Sequence, residues 1–352
     1  MTAMKFSSAF EKPHRNERPH DAPNLRAQCC GCRGFSCGFG VGGVSMKAID
    51  LFAGLGGWSM GAKMAGIQVV WAANHWAEAV EWHSRNHPEA QHVCQDLHQA
   101  NWELVPEHDI ILASPCCQGH SKARGKANGN PQHDASRSTA WAVVSAAEFH
   151  RPPIVIVENV PEFTQWALYP AWSVAMQALG YSLAPHVVDC ADLGIPQNRI
   201  RLFIVCAQSR APLLLSLPKE PHRPALDFID FDAGKWSPIR KPGRSKATLA
   251  RIFRGRRDLK AGRFLIPYYG SGSGLTGRSL ARPIGTITTR DRWAVIRGDH
   301  MRMLTTKENL LAQSFPESTL HPDDHRLTVH MAGNAVPPVA GQKVIEAVRA
   351  AI

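Results

Sequence analysis

The sequence has no apolar run long enough for a transmembrane helix, and its first residues lack the apolar core of a signal peptide. Acidic residues are also scarce. Of 352 residues, 29 are Asp or Glu and 40 are Lys or Arg, which gives a formal net charge of +11. These absences predict a cytoplasmic protein that does not contact a membrane. The excess of positive charge favours a polyanionic partner, most simply a nucleic acid.

The nine cysteines do not indicate a disulfide framework, because no export signal accompanies them. Cys29, Cys30, Cys32 and Cys37 cluster near the N-terminus, but no second pair stands at the spacing of a zinc module. We therefore expect no metal site and a flexible extension over residues 1–45. Met46 would also make a natural chain start, so we hypothesise that this extension is absent from the native protein.

A strand, a glycine turn and a helix follow that extension. Ala48-Ile49-Asp50-Leu51-Phe52 predicts a short strand, Ala53-Gly54-Leu55-Gly56-Gly57 the turn, and Trp58 begins the helix. Such a turn lets a nucleotide-type cofactor approach the backbone closely. The glycine spacing is not that of the dinucleotide fingerprint, which argues against NAD. A tight packing turn remains an equal alternative.

Polar side chains follow the next predicted strands. One strand ends at Asn74-His75-Trp76, and another segment ends at Asp96-Leu97. Because the carboxyl ends of parallel strands meet at one edge of a sheet, these residues could line a site for an adenosine-containing ligand. Each of them, taken singly, is more often a helix cap or a surface group.

Two thiols and a carboxylate stand at two further strand ends. The apolar run to Ala113 leads into Ser114-Pro115-Cys116-Cys117-Gln118, and the run Ile154-Val155-Ile156-Val157 ends in Glu158-Asn159-Val160. The segment from Gly119 to about Ser138 is long and rich in Gly, Ser, Lys and Asn, which predicts a lid or disorder. A single strand-end glutamate is usually only solvated.

Arginines dominate the second half of the sequence. Arg199 and Arg201 stand at alternate positions entering a predicted strand, so they share one face. Between Lys235 and Arg263 there are eleven Lys or Arg residues and one acid, Asp258. A run of this kind is often just a solvated face, but here aromatic residues and a Gly-Ser segment accompany it. We interpret the region as a nucleic-acid surface.

Five motifs occur in a fixed order, and their order is more specific than any one of them. They are Asp50-Leu51-Phe52-Ala53-Gly54-Leu55-Gly56-Gly57, Cys117-Gln118, Glu158-Asn159-Val160, Gln197-x-Arg199-x-Arg201 and Gly333-Asn334-Ala335-Val336-Pro337. Together they resemble the cytosine-C5 DNA methyltransferase family, from about residue 46 to the C-terminus.

The resemblance implies an α/β fold, with a Rossmann-type S-adenosylmethionine-dependent methyltransferase domain, a mostly parallel sheet and a small irregular target-recognition domain. Residues 46–208 would form the catalytic domain, 209–281 the recognition region, and 282–352 a segment that completes the catalytic domain. The cofactor-binding residues that the resemblance implies are Phe52, Ala53, Gly54, Leu55, Gly56, Gly57, His75, Trp76, Asp96, Leu97, Asn334 and Ala335.

The resemblance also implies the chemistry. Cys117 would add to carbon 6 of a flipped cytosine, which activates carbon 5 toward the cofactor's methyl group. Glu158 would contact ring N3 and the exocyclic amine. Arg199 and Arg201 would support the base edge, with Arg201 at O2. The expected partners are double-stranded DNA and a cognate restriction endonuclease, and the expected protein is a bacterial or phage-encoded monomer.

Two positions depart from the family pattern. The family usually has Pro-Cys-Gln, whereas this chain has Cys116-Cys117-Gln118. Alignment on Gln118 and Ser121 makes Cys117 the nucleophile and puts Cys116 in the place of the proline. His75 stands where the family commonly has a glutamate that binds the cofactor ribose. Histidine offers one hydrogen bond there but no carboxylate.

Three rival functions stay open at this point. A relative acting on tRNA would lack a sizeable recognition domain, and the basic insert argues against that assignment. A catalytically inert DNA-binding relative would not need Cys117, Glu158 and both arginines. A thiol-redox role is disfavoured because adjacent cysteines are not the Cys-x-x-Cys redox pattern.

Overall fold

The computed structural model describes residues 46–116, 138–268 and 276–352. The N-terminal extension, Cys117 and the predicted lid segment up to residue 137 lie outside the described residues. Among the described helices, none is long and apolar enough to cross a membrane.

A seven-stranded sheet organises the first half of the chain. Its order is β3-β2-β1-β4-β5-β7-β6, with parallel pairing from β3 to β5 and antiparallel pairing of β7 with both β5 and β6. The predicted mostly parallel sheet is confirmed. Its strands are β1 (Lys47–Leu51), β2 (Gln68–Asn74), β3 (Gln91–Cys94), β4 (Ile110–Ala113), β5 (Ile154–Asn159), β6 (Ser182–Asp189) and β7 (Ile200–Ala207).

The period-two alternation of the strands explains the two layers of core. Ile110 and Leu112 of β4 belong to one buried cluster, whereas Ile111 and Ala113 belong to another. Since successive side chains of a strand point to opposite faces, both faces of the sheet are buried and the strand reads as a continuous apolar run.

Helices cover both faces of this sheet, as expected for a parallel α/β arrangement. The C-terminal helix returns to the start of the chain: a Cβ atom on Gly61 would lie 2.7 Å from the Pro338 carbonyl oxygen. The eight α-helices of the described residues are α1 (Gly57–Met64), α2 (Ala77–Asn86), α3 (Ala140–His150), α4 (Tyr169–Ala178), α5 (Lys246–Leu259), α6 (Thr306–Ala312), α7 (His325–Asn334) and α8 (Pro338–Ala351).

A second, antiparallel sheet lies in the other half of the chain. Its order is β8-β11-β10-β9, with the strands β8 (Ser237–Pro238), β9 (Arg263–Pro267), β10 (Trp293–Arg297) and β11 (His300–Met303). Helix α5 and β9 fall in residues 209–281, where the sequence shows little periodicity. Strands β10 and β11 fall in residues 282–352, but they pair with β9 and β8 instead of the seven-stranded sheet.

A buried ion pair joins the second sheet to the helix that follows it. The Arg302 guanidinium of β11 makes two hydrogen bonds to the Glu308 carboxylate of α6, at 2.6 and 2.7 Å. Both side chains are almost fully buried. Glu308 also closes a capping box with Thr305 at the start of α6. The ionic contact therefore fixes where β11 ends and α6 begins.

Candidate functional site

The candidate site lies at the carboxyl ends of β1, β2, β4 and β5. The strand order reverses between β1 and β4, because the chain builds outward to β3 on one side and to β5 on the other. In open parallel sheets this reversal opens a crevice where ligands bind.

The glycine turn after β1 is shaped by left-handed backbone. Phe52, Gly54 and Gly56 have φ angles of 63°, 56° and 92°. A Cβ on Gly56 would lie 2.7 Å from a ring nitrogen of His87, and a Cβ on Gly57 would lie 1.9 Å from the Val336 carbonyl oxygen. At Gly54 the nearest atom would be the Phe52 oxygen at 3.8 Å. Gly56 and Gly57 thus serve packing, and Gly54 leaves room for a ligand.

Residues far apart in the sequence meet at this turn. Leu55 and Ala335 are buried in one apolar cluster, although 280 positions separate them in the sequence. Asn334 is exposed at the last position of α7. The structure therefore brings together the first and last groups of predicted cofactor residues.

The residues after β2 and β3 stand beside the turn. Asn74 is buried and its side-chain oxygen accepts a hydrogen bond from the Trp76 amide, while His75 is exposed. Asp96 is exposed and caps a short 3-10 helix whose first residue, Leu97, is buried. Exposed polar groups at neighbouring strand ends, with the open face of Gly54, fit a nucleoside-type cofactor.

Two hydrogen bonds hold the strand end that leads to Cys117. The Cys116 amide donates to the Thr139 hydroxyl at 3.0 Å, and the Asn159 side-chain amide donates to the Pro115 carbonyl at 3.0 Å. Asn159 is itself buried, with its oxygen accepting from the Val160 amide at 2.9 Å. The end of β5 thus fixes the backbone immediately before the two cysteines.

Glu158 lies at the end of β5, beside the strand that leads to Cys117, and it contacts Arg201. The Arg201 Nε atom is 2.9 Å from a Glu158 carboxylate oxygen, and both side chains are largely buried. Burial raises the pKa of Glu158, while the guanidinium groups of Arg201 and Arg199 oppose that rise. A carboxyl group in this setting keeps its proton to a higher pH than an exposed glutamate.

Arg199 is buried and bonds three backbone carbonyl groups, and its support of the base edge stays a prediction. It is 1% exposed, and its guanidinium donates to the carbonyl oxygens of Ile287, Gly333 and Ala335 at 2.9, 2.9 and 3.1 Å. The side chain therefore holds the segment on both sides of Asn334.

Sequence reasoning missed several residues that build the site. Gln197 is fully buried and its side chain bonds Ala312, Gln313 and the Ile287 amide. The Gln-x-Arg motif was a usable signal for Gln197. His83 also makes hydrogen bonds to both Ser59 and His92 near the turn. They stand on three different elements, so no spacing in the sequence could have linked them.

The fold and the site together define the class of protein. A reversed-order parallel sheet, a glycine turn after its first strand and a buried carboxyl at the end of β5 are those of a Rossmann-type α/β methyltransferase domain. The family model described as C-5 cytosine-specific DNA methylase matches residues 46–228. The chain belongs to this family.

Relatives of known type agree with that assignment. The chain is 33% identical over 164 residues to the Type II methyltransferase M.HgiDI of Herpetosiphon aurantiacus, covering 46% of this chain and 52% of the relative. It is 25% identical over 327 residues to the Type II methyltransferase M1.HphI of Haemophilus parahaemolyticus, covering 87% of each. The alignment to M.HgiDI therefore spans about half the length of that relative.

Solved structures share the fold. A prophage-encoded E. coli protein described as a DNA modification methyltransferase superposes with a TM-score of 0.64 at 21% identity, covering 87% of this chain and 99% of its own. A mutant of DNMT2 from Spodoptera frugiperda superposes with a TM-score of 0.61 at 15% identity, covering 87% and 100%. At these identities the likeness concerns the fold alone.

Proposed function

We propose that the protein transfers a methyl group from S-adenosylmethionine to carbon 5 of a flipped cytosine in a specific duplex DNA sequence. The observation that carries the proposal is the buried Glu158–Arg201 pair at the end of β5, tied through Asn159 to the backbone that leads into Cys117. An acid and a cation beside the segment that leads into a thiol are what addition to a cytosine ring requires.

S-adenosylmethionine supplies a methyl group on a positively charged sulfur. Its methionine part would lie against the open face of Gly54, and Asn334 would approach from the end of α7. The adenosine would lie along the ends of β2 and β3, where Asp96 offers a carboxylate. His75 would replace the usual carboxylate at the ribose with a single hydrogen bond.

The chain's own residues would then perform the addition. The Cys117 thiolate attacks carbon 6 of the ring while Glu158 donates a proton to N3, so that the ring does not carry the negative charge. Arg201 holds the Glu158 carboxyl in place. After methylation a base takes the carbon 5 proton, the bond between carbon 6 and sulfur breaks, the thiolate leaves, and N3 returns its proton to Glu158. Cytosine is buried in the duplex stack, so the base must first be flipped out.

We propose that the recognition region extends from about residue 209 to Met303, beyond the boundary at residue 281. Strands β10 and β11 support this extension because they complete the second sheet. Helix α5 carries Arg251, Arg254, Arg256 and Arg257 against one acid, Asp258. Such a helix suits phosphate contacts, which position a duplex without reading its sequence.

The relatives named Type II methyltransferases support one further part of the proposal. A protein of this kind would protect DNA against a cognate restriction endonuclease of the same specificity. Bisulfite sequencing of DNA from cells that express the protein would reveal the methylated site. Digestion by an endonuclease specific for that site would then show protection. Unmethylated DNA would contradict the activity itself.

The covalent step can be tested with duplex DNA that contains 5-fluorocytosine, because fluorine at carbon 5 blocks the final elimination. We expect Cys117→Ser to form no trapped complex and Cys116→Ser to form one at close to the wild-type level. The reverse pattern would mean that Cys116 is the nucleophile. Methyl transfer to tRNA but not to duplex DNA would replace the DNA assignment with the RNA one.

A further inference from the structure

Four side chains form a continuous hydrogen-bonded chain beneath the glycine turn. The Asp50 Oδ2 atom of β1 accepts hydrogen bonds from the Ser59 hydroxyl at 2.7 Å and from the Ser59 amide at 3.1 Å. The Ser59 oxygen is 3.0 Å from His83 Nε2, and His83 Nδ1 is 2.7 Å from His92 Nε2. The chain therefore runs from a buried carboxylate on β1, through α1 and α2, to β3.

The donors of this chain can be ordered from its chemistry. Ser59 gives its single proton to Asp50, so its oxygen must accept from the Nε2–H group of His83. A neutral His83 then has a free lone pair on Nδ1, which accepts from the Nε2–H group of His92. In this arrangement every donor points toward Asp50. A further proton can enter only at the other end, on Nδ1 of His92.

The inner end of the hydrogen-bonded chain is shielded from solvent. Asp50 and His83 are fully buried, and the second carboxylate oxygen of Asp50 has no hydrogen-bond partner among the described residues. Burial and the neighbouring His83 lower the pKa of His92, while the Ala90 backbone and two carboxylates raise it. Proton uptake at Nδ1 of His92 would add one positive charge to the chain.

Other titratable and charged groups pack around the two histidines. Burial lowers the pKa of His87 to about 3, so His87 does not carry a positive charge near neutral pH. Lys63 lowers the pKa of His87, and Glu89 raises that of His92. Among the described residues, Asp50, Ser59, His87 and Glu89 act on His83 or His92, and Lys63 acts on His87.

His83, His92 and the glycine turn line one narrow recess. The other residues that line it come from the turn, β2 and α2, namely Ala53, Gly54, Ala72, Ala73, Asn74 and Val80. A charge on His83 or His92 would therefore act electrostatically on a ligand held at Gly54.

We propose that the Asp50–Ser59–His83–His92 chain sets the charge beneath the cofactor pocket and so favours the cationic methyl donor over its neutral thioether product at neutral pH. This inference rests on the proposed function, because it requires S-adenosylmethionine to bind at the turn. The two ligands share their adenosine, amino and carboxylate groups and differ by a methyl group and the positive charge on sulfur. Proton uptake by the chain weakens binding of the cation and leaves the thioether nearly unaffected.

The test compares two dissociation constants in one protein. Calorimetry would give Kd for S-adenosylmethionine and for S-adenosylhomocysteine at intervals from about pH 8 to about pH 5. We expect the preference for the cation to fall about fivefold or more on acidification, as one added charge at close range would cause. His92→Gln keeps a donor toward His83 but does not titrate, so its ratio should not change with pH. His222→Gln, on an exposed histidine, is the matched control and should behave as wild type.

The outcomes separate this inference from the proposed function. If neither ligand binds, the proposed function fails. If both bind and the ratio is independent of pH in the wild type, or still depends on pH in His92→Gln, the inference is overturned. Imidazole NMR of the wild type gives a second measurement that requires no variant. By linkage, the pKa of His92 must be lower in the complex with the cation than in the complex with the thioether, and equal values would refute the proposal.

Discussion

Replacing Arg199 by Lys tests whether its guanidinium group positions the cofactor segment, residues 333–335, or contacts the base. The side chain is 1% exposed and donates to the carbonyls of Ile287, Gly333 and Ala335. A lysine keeps the charge, but its ammonium is a compact point donor that lacks the planar fork needed to reach all three. Two lost charge-assisted hydrogen bonds at about 1.5–3 kcal/mol each predict a loss of about 3–6 kcal/mol in the free energy of unfolding. The lysine contacts that remain would reduce that loss.

The assay pairs urea unfolding with calorimetric binding of S-adenosylmethionine. We expect Arg199→Lys to lower the urea midpoint and to weaken cofactor binding. Asn334 lies between Gly333 and Ala335, whose carbonyl groups accept hydrogen bonds from Arg199. Arg201→Lys is the matched variant, since Arg201 contacts Glu158 and not the cofactor segment. It should reduce the rate of methyl transfer while cofactor affinity stays near that of the wild type. An Arg199→Lys protein with unchanged stability and cofactor affinity, but poor turnover on DNA, would refute the positioning role.

Two further predictions concern buried carboxyl groups. Glu158→Gln should fold normally and lose about 10²–10⁴-fold in single-turnover methyl transfer, because it can no longer donate a proton to N3. In the wild type the acid form of Glu158 is lost as pH rises through its raised pKa, so activity should fall on that limb, and a wild-type rate in the Gln variant would contradict the assignment. Glu308→Ala should cost about 3–5 kcal/mol in thermal or urea unfolding, since it leaves the Arg302 charge buried without its carboxylate. The double variant Arg302→Met/Glu308→Leu should recover part of that loss, and full additivity of the two single changes would show that the pair does not act as a unit.

The strands of the first sheet could be predicted from the sequence because their apolar runs are short and end in turn residues. The run to Ala113 and the run Ile154-Val155-Ile156-Val157 both became central strands, β4 and β5. Helix α5 escaped prediction because its arginines and Lys246 interrupt the apolar pattern. Its buried positions include Ile252 and Gly255, and a small residue such as Gly255 gives no apolar signal.

The candidate site was predictable as a set of strand ends, but its internal contacts were not. Motif order linked Glu158 to the segment that carries Cys117, and the structure ties the two segments through Asn159. The pairing of Arg199 with the end of α7 depends on a turn that precedes β7, and backbone of that kind has no periodicity to read. The histidine chain needs three elements to be packed before any of its bonds exist.

Residues 197–199 explain how the two halves of the chain are held together. Gln197 bonds the end of α6, and both Gln197 and Arg199 bond the backbone of Ile287, which lies just before the second sheet's β10. Arg199 also bonds the end of α7 beside Asn334. Gln197 and Arg199 thus bond Ile287 on the second-sheet side, and Arg199 bonds Gly333 and Ala335 on the side of Asn334. A displacement of the second sheet must therefore strain the hydrogen bonds that hold the residues around Asn334. The position of the second sheet and the shape of the candidate cofactor site are therefore linked through the backbone carbonyls of residues 287, 333 and 335.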